Sequence, residues 1–436
     1  MNHTVDKVAG DFQRQALQLA GEQISAPWLD RLRFEGSEQW LAAAWPGRRT
    51  ELWKYTPLQS LQRGNFSRWG AGQRCDLAGD ALLSLDAIRL VFVNGEFDAE
   101  ASACEAVEVV RFSQASAEQR AIIEAHLGKI VDTKRHLFAS LSNAWVHDGV
   151  LVHVPRNVTL EKPVYLVHVS TPEAEAATVN QRALIVLEES ASAELIEHFI
   201  SDSQEQNGFV NTLTEISLGA NAKLEHYRMN LEEEHLLHIG GVHAVLQRDA
   251  RYHGFTLAEG STLKRLDYQI CHRGPGAHAD LNGVYLPRNN QLLDYHTNVE
   301  HEAPHCTTSE VFRGIIADSA RAVFNGRIHI HPHAQKTLAE LSNRNLLTSD
   351  KAEVDTKPEL EIYADDVRCA HGATVAQLDQ TAMFYLRSRG LSETQARTML
   401  SFGFVNELLQ ELPREEVREH LHRRLHLLFA REHFSA

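Results

Sequence analysis

From about Gly149 the chain stops reading as helix and becomes a series of short strands closed by small polar turns, and this series decides which folds are open to it. Residues 151–155, 164–169 and 183–187 are the first strand-like pieces. Turn segments then recur at 190–193, 219–222, 248–250, 288–290, 317–320 and 348–351. With Ala193, Ala222, Ala250, Ala320 and Ala352 as markers the gaps are 29, 28, 70 and 32 residues, the long one reading as two irregular coils. A strand-and-turn repeat of this length is the sequence sign of a stacked solenoid, in which each coil buries its apolar side only against its neighbours. A β-sandwich also contains many short strands. The turns here repeat in kind as well as in spacing, which favours a β-helix core over residues 149–376.

Helical signals flank that core. Residues 1–148 form a helical and mixed region, with Phe12, Ala16, Leu17 and Ala20 at helical spacing, as are Trp28, Leu29 and Leu32, then Trp40, Leu41 and Ala44. Trp28, Trp40, Trp45, Trp53 and Trp69 concentrate here, a density that reads as packing. Strand-like pieces at 88–95 and 106–110 and helices near 116–127 and 133–144 follow. At the other end, 377–436 returns to helix. Leu378, Ala382, Tyr385 and Leu386 share a face, and Gly390 is a stop. Ser392 and Gln395 form a capping box ahead of Ala396, Leu400, Phe404, Leu408 and Leu412. Pro413 opens a last helix through Val417, Leu421, Leu425 and Leu428. This apolar stripe lies outside the repeat, so it must pack on the solenoid end or on a partner.

Composition removes several function classes. A net charge of −15 argues against nucleic acid as a partner. No apolar run is long enough for a membrane span, and no secretory signal is visible. Cys75, Cys104, Cys271, Cys306 and Cys369 are scattered, odd in number and without a CxxC pair, which fits free thiols in a reducing, cytoplasmic compartment. Neither a phosphate-binding P-loop nor a dinucleotide fingerprint is present.

Two stretches carry chemistry. Val367, Cys369 and His371 share one parity, and residues two apart on a strand lie roughly 6.5–7 Å apart on one face. A thiol and an imidazole could therefore meet one metal ion or one partner surface. A half-buried cysteine beside an ordinary histidine gives the same pattern, and spacing leaves both readings open. His329, His331 and His333 alternate in the same way, at a spacing that could chelate a divalent metal, although Pro332 interrupts them and no carboxylate lies within the run. His296, His301 and His305, near Cys306, form a looser group.

The run Glu353-Val-Asp-Thr-Lys-Pro-Glu-Leu-Glu-Ile-Tyr-Ala-Asp-Asp-Val-Arg-Cys-Ala-His-Gly-Ala-Thr-Val375, followed by Phe384-Tyr-Leu-Arg-Ser-Arg-Gly390, resembles the signature of the SufB/SufD family of SUF iron–sulfur cluster assembly, its SufD branch above all. Weaker echoes lie at 51–57, 92–95 and 323–327. The resemblance implies a right-handed parallel β-helix with helical ends. It implies a non-catalytic scaffold subunit that pairs with a SufB-like subunit and a SufC-like ATPase, or with itself when alone, without nucleic acid or membrane. Cys369 and His371 would then face the SufB-like partner. No cofactor would be held by this chain alone, and iron or a cluster would be shared across that contact. Phe384, Tyr385, Leu386, Arg387, Arg389, Leu400 and Phe404 would serve partner docking. The three-histidine run is a departure from that pattern. From the residues alone, a β-helix carbohydrate-active enzyme with paired carboxylates and a metalloenzyme ligated by His329, His331 and His333 stay open.

Overall fold

The computed structural model describes residues 2–21, 25–64, 66–68, 81–104, 106–172, 177–203, 207–232 and 235–430, so Trp69 and Cys75 lie outside the described residues. From Val150 onward each coil contributes one strand to each of two facing parallel sheets, which makes the core a β-helix with helices at both chain ends. The first sheet runs through Val150–Val154, Ala177–Leu187, Gly208–Leu218, Leu236–Leu246, Leu263–His272, Leu292–His301, Arg321–Ile330 and Glu353–Ile362. The second runs through Val164–Ser170, Ser192–Ser201, Lys223–Asn230, Arg251–Glu259, His278–Leu286, Thr307–Ile316, Leu338–Leu347 and Arg368–Gln377. Parallel in-register stacking lines up equivalent residues of successive coils. Leu187, Leu218 and Leu246 therefore form one buried column.

Left-handed residues turn the corner after the first-sheet strands from Ala177–Leu187 to Arg321–Ile330. Ser190, Asn221, Asp249, Gly276, His305 and Lys336 all have φ between 57° and 73°. Each donates its N–H to a carbonyl of the next coil, as Asn221 does to Arg248 at 2.8 Å and His305 to Gln335 at 2.9 Å. Asn289 and Asp318 take the same conformation at the opposite corner. This corrects the reading of the 70-residue gap. The alanine markers pass from one corner to the other between Ala250 and Ala320, and the first corner continues at Ala277 and Cys306, 27 and 29 residues on.

The two outer faces are covered by the two ends of the chain. Phe12, Trp40, Trp53, Phe138 and Trp145 pack with Phe209 on the first sheet, so the tryptophans are core. Leu41 is 51% exposed, however, and Ala44 is exposed too, so Trp40 alone of that trio faces inward. The helices Gln380–Ser388, Glu393–Gln410 and Glu415–Ala430 lie on the second sheet, where Val405, Leu408, Leu421 and Leu425 join Met229, Leu257, Val284 and Ile315. Arg414 reaches Glu194 at 2.8 Å, and Arg424 reaches Glu259. The C-terminal stripe thus covers the solenoid's flank rather than its end. The Ser392/Gln395 capping box and the left-handed Gly390, φ 94°, start and stop these helices as expected. None of the described helices is long and apolar enough to cross a membrane.

The two solenoid ends differ. At the N-terminal end, Ile88–Val93 adds to the second sheet and turns through Asn94 and Gly95 into the antiparallel strand Glu96–Ala103. Val109–Arg111 closes the first sheet in the same antiparallel way. Glu96–Ala103 was not foreseen, because its sequence holds few strand formers and its pairing sets its conformation. At the C-terminal end, Glu353–Ile362 and Arg368–Gln377 each pair on one side only among the described residues.

Candidate functional site

The uncapped last coil places the expected pair. Ala339, Leu341, Asn343 and Asn345 are inward-facing and buried, and they pair in register with Cys369, His371, Ala373 and Val375. Cys369 and His371 therefore point to the interior side of the solenoid, at the level where no further coil of the described residues covers it. Cys369 is half-buried against the core, and that burial raises its thiol pKa, with the Ala339 backbone pulling the other way. His371 is exposed, as is every residue from 371 to 377. Ile362 and Val375, at 42% and 49% exposure, end the inward columns of the two sheets at the same mouth, while Tyr363, 61% exposed, packs on the His329 ring.

Beneath His371 the column runs through Leu341 to Glu310 and Leu281. Glu310 is 1% exposed, and neither carboxylate oxygen has a hydrogen-bond partner among the described residues. Burial pushes its carboxyl up to about 7, with the Thr297 hydroxyl pulling weakly the other way. A carboxyl in this state can hold or release a proton near neutral pH. Sequence reasoning did not single it out. The signal was an acidic residue at the inward parity of Thr308, Glu310 and Phe312.

Deeper in the solenoid lies a charged interior network. Glu197 accepts from Arg228 at 2.7 Å and from Thr214 at 2.7 Å, and pairs with His226 at 2.8 Å. Burial opposes ionisation of Glu197, but Arg228 and His226 outweigh it and hold the carboxyl well below the usual range. Lys264 and His238 clasp Glu232 similarly. These partners satisfy one another, which is how buried charge is tolerated.

The histidine run is reorganised by stacking. His329 Nδ1 and His331 Nε2 meet Oε2 of Glu300 from the preceding coil at 2.5 and 2.9 Å, while His333 lies exposed in the following turn, outside that group. The carboxylate missing from the run is therefore supplied by a neighbouring coil. Burial works against the Glu300 charge, yet Asn298, His331 and Arg327 hold its carboxyl at about 2. Arg327 also pairs with Glu361. His296 is taken up by Asp294 at 3.0 Å and His305 serves the corner, so of the looser group only His301 stays beside Cys306.

Among the expected docking residues, Phe384 and Tyr385 are 75% and 56% exposed. Tyr385 thus leaves the buried face it was expected to share with Leu378. Arg387 and Arg389 are also exposed, with Arg389 over the Tyr385 ring at 5.2 Å. Leu386, Leu400 and Phe404 are half-buried against the helices' own core.

Residues 168–404 match the family described as SUF system FeS cluster assembly, SufBD core domain, and residues 11–166 match the SufBD protein N-terminal region. The iron–sulfur cluster assembly protein SufD of Escherichia coli (strain K12) is 34% identical over 385 residues, which cover 88% of this chain and 89% of that protein. An iron–sulfur cluster assembly SufBD family protein of Synechocystis sp. is 31% identical over 381 residues, 84% of each chain. The iron–sulfur cluster assembly protein SufB of Bacillus subtilis (strain 168) is 24% identical over 299 residues, 68% of this chain and 64% of that one.

Proposed function

Since this chain belongs to the SufBD family of iron–sulfur cluster assembly proteins, we propose that it is a non-catalytic subunit of a SufBCD-like scaffold, joined to a SufB-like subunit through its last coil and to a SufC-like ATPase through its C-terminal helices. The observation that carries this reading is the contrast between the two solenoid ends. One is closed by antiparallel strands; the other offers two ten-residue edge strands and an apolar rim. Long unpaired edges invite another strand, and folded proteins ordinarily blunt them. A related solenoid presenting the same kind of end is the partner that continues both sheets. When no such partner is present, a second copy of this chain can take its place.

Cys369 and His371 lie at that contact. A thiolate and an imidazole suit iron, but two ligands are too few for a cluster, so the partner completes the site. Iron and the nascent cluster are cargo in this scheme. The ATPase is a separate chain, in keeping with the absence of a P-loop in this sequence. Its docking surface is the exposed Phe384 and Tyr385 with Arg387 and Arg389. The free thiols of Cys104, Cys271, Cys306 and Cys369 fit a cytoplasmic setting.

Val375→Lys tests the end-to-end contact. It places an inward-pointing charge on the edge strand, a device that blocks strand addition. Val375 is 49% exposed, so the fold tolerates the change. Co-expression with the SufB-like subunit should yield no complex while circular dichroism and the melting temperature stay those of the parent. A complex recovered at parental yield would refute the reading.

A further inference from the structure

At two coils of the solenoid the interior breaks its own pattern. The buried column at the end of the first-sheet strands reads Leu218, Leu246, His272, His301, Ile330 in register. The buried corner position ahead of each second-sheet strand reads Ala222, Ala250, Ala277, Cys306. Two imidazoles and one thiol thus replace hydrocarbon at adjoining positions, and all three side chains are fully buried. Nothing in the packing of a β-helix calls for this, since the preceding coils fill the same places with leucine and alanine, and the following one with Ile330 and Thr337.

The three come together. One ring nitrogen of each histidine and the Cys306 Sγ lie within 4.8 Å of one another. The rings are stacked, 4.5 Å apart and 13° from parallel. Both Nε2 atoms meet the same hydroxyl, Thr308 Oγ1, at 3.0 and 3.1 Å. Neither Nδ1 has a hydrogen-bond partner among the described residues. A buried, unsatisfied ring nitrogen costs about 1–3 kcal/mol, and such a group in a native interior calls for an explanation, an absent ion being one.

We infer that His272, His301 and Cys306 form a buried site for a borderline divalent cation of the zinc class, clamping two successive coils of the solenoid from within. Two imidazoles and a thiolate are the donor set of such cations, with a fourth position left for a further ligand, whereas magnesium and calcium require oxygen donors. The Thr308 oxygen can accept from both Nε2–H groups at once. That arrangement fixes each ring with Nδ1 as the open donor, the usual supporting contact for a metal-bound histidine. Burial keeps both imidazoles unprotonated, His301 down to about 3, so neither has to lose a proton to bind. The thiol is protonated, and binding the cation releases that proton to solvent. The Cys306 thiol donates to the carbonyls of Gly274 and Pro304 at 3.4 and 3.6 Å, contacts that end when the proton leaves, while the two Nδ1 atoms are unengaged among the described residues. At Glu300, His329 and His331, by contrast, both imidazoles are already paired with the carboxylate.

Cobalt(II) is the probe, because its bond to a thiolate absorbs in the near ultraviolet. The full chain is refolded from denaturant with cobalt(II), so that burial does not bar entry. The expected result is one cobalt per chain with a thiolate-to-cobalt charge-transfer band and tetrahedral visible bands. X-ray absorption should find one sulfur and two imidazole nitrogens. Cys306→Ala and His301→Leu restore the residue types of neighbouring coils, so both should fold. Each should lose the band, and their melting temperatures should no longer rise on adding cobalt. Cys369→Ala and Glu300→Gln should keep the band at parental intensity. The inference fails if the parent shows no charge-transfer band, or if the band survives in Cys306→Ala.

Discussion

His371 and Glu310 occupy the same inward column of the second sheet, with Leu341 alone between them. The open rim of the last coil and a buried carboxyl one leucine below it are thereby joined through stacked side chains. The ionisation of Glu310 carries a defined stability signature. Its folded-state pKa, about 7, lies above its ordinary value of 4.5, so the unfolded chain loses the proton first as pH rises. Stability is therefore unaffected below the ordinary value, falls as pH climbs from 4.5 to about 7, and levels beyond.

Glu310→Gln removes that term. A shift of this size corresponds to about 3 kcal/mol, at roughly 1.4 kcal/mol per pKa unit. Urea denaturation at pH 8 should find the variant more stable than the parent by an amount of that order, with the two curves converging toward pH 4.5. Equal stability at pH 8 would show that the carboxyl is ionised and satisfied in the fold.

Glu215 ties the N-terminal region to the solenoid. It pairs with Arg182, both side chains being wholly buried, and accepts the backbone N–H groups of Gly128, Ile130 and Val131 at 2.8–3.2 Å. Glu215→Ala leaves a buried guanidinium without its counter-charge, for which about 3–5 kcal/mol is the usual loss. Chemical denaturation should show this loss, and limited proteolysis should cut near residues 128–131. A loss under about 1 kcal/mol would mean that the region docks without this ion pair.

ATPase docking is better tested by point changes than by removing residues 392–436, because the helices Glu393–Gln410 and Glu415–Ala430 within them cover the outer face of the second sheet. Phe384→Ala combined with Tyr385→Ala alters only exposed rings. The double variant should keep the parental melting temperature and recover at least about tenfold less SufC-like ATPase on co-purification, the effect of roughly 1.4 kcal/mol of lost contact. Leu408→Ala, in the buried seam, should instead cost about 2–5 kcal/mol of stability. Undiminished ATPase recovery from the double variant would place the docking surface elsewhere.

Much of the fold was legible because a solenoid writes its period into the chain. Residues such as Asn221, Asp249, Asn289 and Asp318 at the turns are those that tolerate left-handed backbone, and they do adopt it. The alternating parity of Val367, Cys369 and His371 also announced that Cys369 and His371 share a face. The groupings that depend on inter-coil register were not legible. Glu300 and His329, like His272 and His301, are 29 residues apart in the chain but register partners in the sheet. A motif search within one strand cannot see them. Adding one coil length to each polar strand residue would have found both pairs, the first on the outer face of the sheet and the second inside it. The destination of the C-terminal stripe was equally hidden, since an apolar helix face does not say whether flank, end or partner will cover it.

The central claim is that His371 serves cluster assembly at the partner contact. The decisive measurement is iron–sulfur cluster content in cells that rely on this system, with His371→Ala and Cys369→Ala introduced separately and assembly with the SufB-like and SufC-like chains checked by co-purification. The account predicts that His371→Ala assembles normally and yet loses most cluster formation, while Cys369→Ala, in a half-buried packing position, has the smaller effect. If His371→Ala assembles and supports parental cluster content, the site is wrongly assigned and the pair is only the finish of an exposed edge strand.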